Sequence, residues 1–181
     1  LFTKNFRLEF RKVGWDDKTL LAFASGEIKN FVKLGRRIHI RGMEAVIFAK
    51  LAGNAESIMA RLSKGEMKVK FAGIEIGKID FNNHSFLDHT GKKIGSFDRS
   101  GMRVSGADIL QLPFFSKKEN FSVSQKAYIG ERAACTINFR KWPDRTEPLF
   151  QNLERKLGRD ETILIFLLAA VEWAFSINIR E

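Results

Sequence analysis

The sequence predicts a mainly β fold, a closed antiparallel β-barrel of about 10–12 strands enclosing a hydrophobic C-terminal α-helix. Three observations carry that expectation. Short stretches in which apolar and charged residues alternate recur along the chain, turns rich in Gly and Asn separate them, and residues 160–175 are apolar on every side. A helix without a polar face must be surrounded by protein or by lipid. A sheet closed around it supplies the surroundings and removes its own unpaired edges.

Taken in order, Phe6–Arg11 alternates and reads as a half-buried strand. Leu20–Ala24 is a short apolar run that Ser25 and Gly26 close. Arg36–Gly42 alternates again, with Arg37, His39 and Arg41 on one face. Ala45–Phe48 fits a buried strand or a helix equally, and strand is the assignment taken. Asn54–Leu62 combines helix formers with a capping Asn, so a short helix is expected there. Met67–Phe71 returns to strict alternation with Lys68 and Lys70 outward.

An internal repeat follows. Gly73–Asp80 and Gly91–Asp98 both read Gly-x-x-Ile-Gly-x-apolar-Asp, 18 residues apart. With Asn82 and Asn83 between them this is a meander of short hairpins, a spacing that favours a barrel or sandwich. Beyond Arg99–Gly101, Met102–Leu112 alternates weakly until Pro113. Phe121–Ile129 and Ala133–Trp142 are two further strands. Leu149, Phe150, Leu153 and Leu157 have helical spacing, which predicts a short amphipathic helix before the last one.

The last helix is expected from Asp160 or Glu161 to Phe175, with Asp160 as cap and Gly158 as the preceding break. Its run from Ile163 is shorter than the roughly 20 residues needed to span a bilayer, and Glu172 interrupts it. Burial is favoured over lipid contact. A buried Glu172 must then sit near the barrel mouth or pair with a cation. Ile177 and Ile179 suggest one more strand after it.

With 181 residues, one domain over 1–181 is expected. The chain opens on Leu1 and not on Met, which leaves an upstream segment open. Seventeen Phe against one Tyr point to a dry aromatic interior. A net charge of +10, spread along the chain, implies an anionic partner: anionic lipid, nucleic acid or an acidic protein. One cysteine, Cys135, excludes an intrachain disulfide and a cysteine-based zinc site, in keeping with a reducing compartment.

The unit Phe86–Gly95 and the helix from Asp160 to Trp173 together resemble the tubby-like superfamily, which includes the phospholipid scramblases and LURP-one-related proteins. The resemblance implies a barrel threaded by its C-terminal helix. It also implies binding to anionic membrane lipid or phosphorylated headgroups. Asp98–Gly101 lacks the carboxylates of a scramblase calcium run, so scramblase activity does not carry over.

Candidate anion-binding residues are Lys33, Arg36, Arg37, His39 and Arg41, clustered within nine positions, and Lys68, Lys70, Lys92 and Lys93 at outward or turn positions. Lys64 belongs with the second group. Arg forks and Lys ammonium groups both suit phosphate oxygens, although scattered surface charge also serves solubility alone. His84, Asp88 and His89 could bind a metal or act as acid and base, but turn chemistry explains the same residue types. Cys135 between Ala134 and Thr136 reads as a small buried hydrophobe more than a nucleophile. No HExxH, Walker A, GxGxxG or GxSxG occurs.

The expected function is therefore non-enzymatic binding or scaffolding at anionic lipid, without cofactor, metal or catalytic residue. The expected location is cytoplasmic, with peripheral contact at the inner membrane face. A nucleic-acid-binding module and an enzyme built on His84, Asp88 and His89 are the alternatives. Most Phe alternate inward, away from the exposed stacking positions a nucleic-acid module needs.

Overall fold

The computed structural model describes residues 4–12, 20–29, 33–34, 37–38, 43–98, 123–141, 146–151, 153–154 and 156–178. Among them the chain is mainly β with one C-terminal helix. The strands are β1 Lys4–Lys12, β2 Leu20–Lys29, β3 Lys33–Leu34, β4 Arg37–Ile38, β5 Glu44–Leu51, β6 Ile58–Ser63 and β7 Glu66–Phe71. After them come β8 Ile74–Asp80, β9 Ser85–Asp88, β10 Lys93–Phe97, β11 Val123–Ile129, β12 Arg132–Lys141 and β13 Thr146–Gln151. The helix, α1, is Arg159–Asn178.

One sheet takes in every described strand except β3 and β4, which pair with each other. Its pairings are antiparallel from β1 through β2, β5 and on to β13. The exception is a short parallel contact in which Arg11 and Lys12 of β1 face Leu149 and Phe150 of β13. Alternation determines which side each strand buries. Phe6, Leu8 and Phe10 turn inward from β1, Ala45, Ile47 and Ala49 from β5, and Met67, Val69 and Phe71 from β7.

The inward side holds α1. Ile163 through Val171 are each 5% exposed or less, so this stretch of the helix is enclosed around its whole circumference. It touches β13 and β1 on one side and β8 on the other. Phe166 lies 5.5 Å from the Phe10 ring and 4.8 Å from Phe150, and Trp173 lies 5.8 Å from Phe6. Among the described residues no helix is long and apolar enough to cross a membrane.

The cap differs from expectation. Gly158 C=O accepts the first helical bond from Thr162 N, and Gly158 N donates to the Glu161 carboxylate at 3.0 Å. Gly158 is thus the N-cap, and Glu161 at the third helical position supplies the carboxylate half of a capping box, glycine having no side chain for the other half. Asp160 lies inside the first turn, where its charge favours the helix dipole and meets Arg159 at 3.0 Å. The helix carries on through Ile177 to Asn178, so no strand begins there, and Ile179 lies outside the described residues.

Three other expectations need correction. Residues 54–62 do not form a helix, because Asn54 Oδ1 accepts from Glu56 N in a local turn and Ile58, Ala60 and Leu62 then alternate inward as β6. The apolar face available to that alternation outweighs helix propensity. The described residues of 147–157 are not helical either, since Thr146–Gln151 is β13, paired with β12 along its length. β2 does not stop at Gly26; the strand runs on to Lys29 because a glycine is needed inside it, where a Cβ would lie 2.5 Å from Val46 O and 3.0 Å from the Phe6 ring. Of the strand expected over Arg36–Gly42, Arg37–Ile38 is β4, and the remaining positions lie outside the described residues. Met102–Leu112 lies outside them.

The sequence repeat is a repeated piece of geometry. Each copy starts from a turn glycine with positive φ, Gly73 at 81° and Gly91 at 87°. Each then inserts one extra residue into its ladder, Ile76 between the partners of Lys70 and Val69, and Ile94 between those of Leu87 and Phe86. In each the bulge is followed by a glycine pressed against a neighbouring carbonyl, Gly77 on Leu87 O and Gly95 on Tyr128 O. The bulge reverses the alternation. Ile76 and Ile79 are therefore both buried, and Lys78 comes to face outward with Lys68.

Three stability outcomes are expected in chemical denaturation. Phe166→Ala, emptying the contact with Phe10 and Phe150, should cost about 3–5 kcal/mol. Gly77→Ala should cost about 1–3 kcal/mol, since the added Cβ would collide with a strand backbone. Gly73→Ala, strained in φ but open in space, should cost about 1 kcal/mol.

Candidate anion-binding face

The hairpin turns set which cations meet. Lys64 and Gly65 form a two-residue turn with φ of 54° and 80°, the twist that suits a tight hairpin. That turn places Arg61 of β6 directly opposite Lys68 of β7. The bulge at Ile76 places Lys78 of β8 directly opposite Lys68 on its other side. Three cations therefore stand side by side across three strands, about 4.8 Å apart from strand to strand. The row runs on through Leu87 to Lys93 of β10.

Like charges directly opposed in a ladder repel, at a cost of about 0.2–1 kcal/mol per pair. Glu66 relieves part of this through an ion pair with Lys78 at 3.1 Å. Arg61 and Lys68 are both exposed and have no ion pair among the described residues. Lys70 is one step along β7, opposite Met59 on one side and Glu75 on the other. A guanidinium fork next to an ammonium, both facing water, can share the oxygens of one phosphate.

Of the sequence-predicted residues, Lys68, Lys70 and Lys93 are exposed on this face. Lys92 is an exposed turn residue whose backbone N and C=O both bond to Asp88. Lys33 and Arg37 belong to the separate β3–β4 pair, and Arg36, His39 and Arg41 lie outside the described residues. Arg61 and Lys78 were not anticipated. Arg61 was hidden by the helix expected over 54–62, although the alternation of Ile58, Ala60 and Leu62 was the available signal. Lys78 depends on the bulge, whose signal was the repeated Ile-Gly.

A groove of about 780 Å³ opens beside this row on the outer side of β1, β2, β5 and β6. Its lining includes Asn5, Ser25, Glu27, Val46, Phe48 and Arg61. Glu27 is bridged to Lys29 at 2.7 Å.

Asp88 and His84 are each engaged by other groups of their hairpin. Asp88 Oδ1 accepts from Thr90 Oγ1 at 2.6 Å, Thr90 N at 2.9 Å and Lys92 N at 3.0 Å, holding the turn between β9 and β10. The Thr90 hydroxyl foremost, then the Lys92 and Thr90 amides and the His89 charge, hold its carboxyl below the ordinary aspartate range against a smaller opposing effect of burial. The His84 ring packs edge-on to Phe97 at 5.5 Å, and His89 is exposed. No group of three potential metal ligands occurs among the described residues. Cys135 is buried, which pushes its thiol up to about 12, so it is protonated and unreactive at neutral pH. Glu172, also buried, accepts from Gln125 Nε2 at 3.3 Å, and the same Nε2 lies 2.9 Å from Asp98 O.

No protein family, curated protein or solved structure matches this chain.

Because the folded Asp88 carboxyl is lowered, the stability it lends is present above its unfolded pKa and lost as pH falls through the folded one. Thr90→Val removes the leading cause. NMR titration of the Asp88 carboxyl should show its midpoint rising toward the ordinary aspartate value, with the acid limb of the unfolding curve shifting to higher pH.

Proposed function

We propose that this chain is a non-enzymatic binding protein whose outer sheet face holds phosphate-bearing anionic lipid, on a closed β-barrel of the tubby-like kind. The observation that carries the reading is the row Arg61, Lys68 and Lys78, three cations brought into direct opposition with one carboxylate among them. Such repulsion is relieved by a multivalent anion. A folded surface of this kind gains about 1 kcal/mol per Lys or Arg brought near an anionic leaflet.

Closure of the sheet is supported by β1, which pairs with β2 along its length and with β13 at Arg11 and Lys12. The enclosed α1 and the repeated hairpin support the tubby-like reading. A non-enzymatic role is supported by the engagement of Asp88 in its turn and of the His84 ring with Phe97. Peripheral contact at the cytoplasmic leaflet follows from the same preference for anionic lipid.

Cosedimentation with vesicles tests the reading. Binding should appear with phosphatidylserine in the phosphatidylcholine vesicles, and should weaken as salt is raised. Arg61→Ala and Lys68→Ala should each lower affinity about fivefold, while Lys126→Ala, on β11, should leave it unchanged. Equal binding to neutral vesicles would sink the proposal, and tighter salt-dependent binding to duplex DNA would replace it with the nucleic-acid reading.

A further inference from the structure

The cationic row borders an apolar patch on the outer surface, where Glu27 of β2 lies opposite Val46. On β5 and β6, Val46 lies directly opposite Arg61, and Phe48 directly opposite Met59. Met59 in turn faces Lys70 on β7. Phe48 is 54% exposed although it stands in the middle of a strand. Phe23 of β2, 38% exposed, is its diagonal neighbour, because Ser25 and not Phe23 is the direct partner of Phe48.

These side chains cannot join the core. The sheet buries Ile47 and Ala49 on its other side, and alternation keeps Phe48 out. An apolar patch rimmed by charge marks an interaction surface, and here the charge names the partner. At a bilayer interface, apolar side chains enter the hydrocarbon boundary while Lys and Arg remain at the level of the phosphates. Val46, Phe48 and Met59 beside Arg61, Lys68 and Lys70 have that arrangement on one face. A nucleic-acid platform would instead present successive rings for bases to stack on, whereas the direct neighbours of Phe48 across the ladder are Ser25 and Met59.

We propose that the β5–β6–β7 face lies flat on an anionic membrane, with Phe48 inserted below the phosphates and Arg61, Lys68 and Lys70 at phosphate level. This orientation rests on the anionic-lipid reading above. It gives the apolar patch a role that charge alone leaves unexplained. The groove shared by Phe48 and Arg61 lies within the contact.

The test places an environment-sensitive nitrobenzoxadiazole label at Phe48→Cys. Cys135 is buried with a raised thiol pKa and does not compete for the label. With vesicles of phosphatidylcholine and phosphatidylserine, the label should brighten, shift to the blue and be quenched by brominated acyl chains. The same label at Lys126→Cys should do neither, and neutral vesicles should give no response at Phe48. Unlabelled Phe48→Thr should lower vesicle affinity about tenfold with little change in the unfolding midpoint, since the residue lies outside the core and Thr suits a strand.

Vesicle binding with an unshifted, unquenched label at Phe48 would overturn the orientation and leave the lipid reading standing. Loss of all binding by the unmodified protein would remove both. A label response that grows with protein concentration without vesicles would assign the patch to a second copy of the chain. A response to a single-stranded oligonucleotide in place of lipid would assign it to nucleic acid.

Discussion

The meeting of Phe10, Phe150 and Phe166 is the contact on which the rest of the structure depends. These rings come from the first strand, the last strand and the terminal helix, with centroids 4.8 to 5.7 Å apart. All three are buried. Aromatic pairs in such geometry add about 0.5–1.5 kcal/mol each beyond the area they bury, but their larger effect is positional. They draw both ends of the sheet to one helix, so the sheet must curl, and curling fixes which residues face water.

The outer face inherits its order from that constraint. Once Met67, Val69 and Phe71 turn inward to meet the helix side, Lys68 and Lys70 must turn outward. The neighbouring strands follow through tight turns and one bulge, until Arg61 and Lys78 flank Lys68. The charge row is therefore a consequence of core packing and hairpin register. No loop or metal is needed to assemble it.

Much of this was legible in the order of residues, and the failures share a cause. Strict alternation identified β1 and β7, and a uniformly apolar run identified α1 as enclosed. The repeat at Gly73 and Gly91 marked two hairpins, although not that its Ile-Gly pair bulges and reverses the faces. Residues 54–62 and 149–157 went astray because both offer helical spacing or helix formers locally, while their pairing with β5, β7 and β12 is decided by residues far away. Local propensity spans only about 1 kcal/mol per residue, and a ladder with a buried face exceeds it. Arg61 and Lys78 were missed for the same reason, since their significance lies in what stands opposite them.

The parallel contact of Arg11 and Lys12 with Leu149 and Phe150 bears on how the molecule is made. Neighbouring hairpins from β5 to β10 can form as they leave the ribosome, because each partner follows within a few residues. β1 has been synthesised long before β13 exists, and α1, which fills the interior, emerges after both. Until then an apolar sheet interior stands open and one strand edge lacks its final neighbour, the condition under which nascent chains associate wrongly. Non-local pairing of this order also slows folding. The burden of protecting the unfinished chain falls on whatever meets it in the interval between β1 and α1.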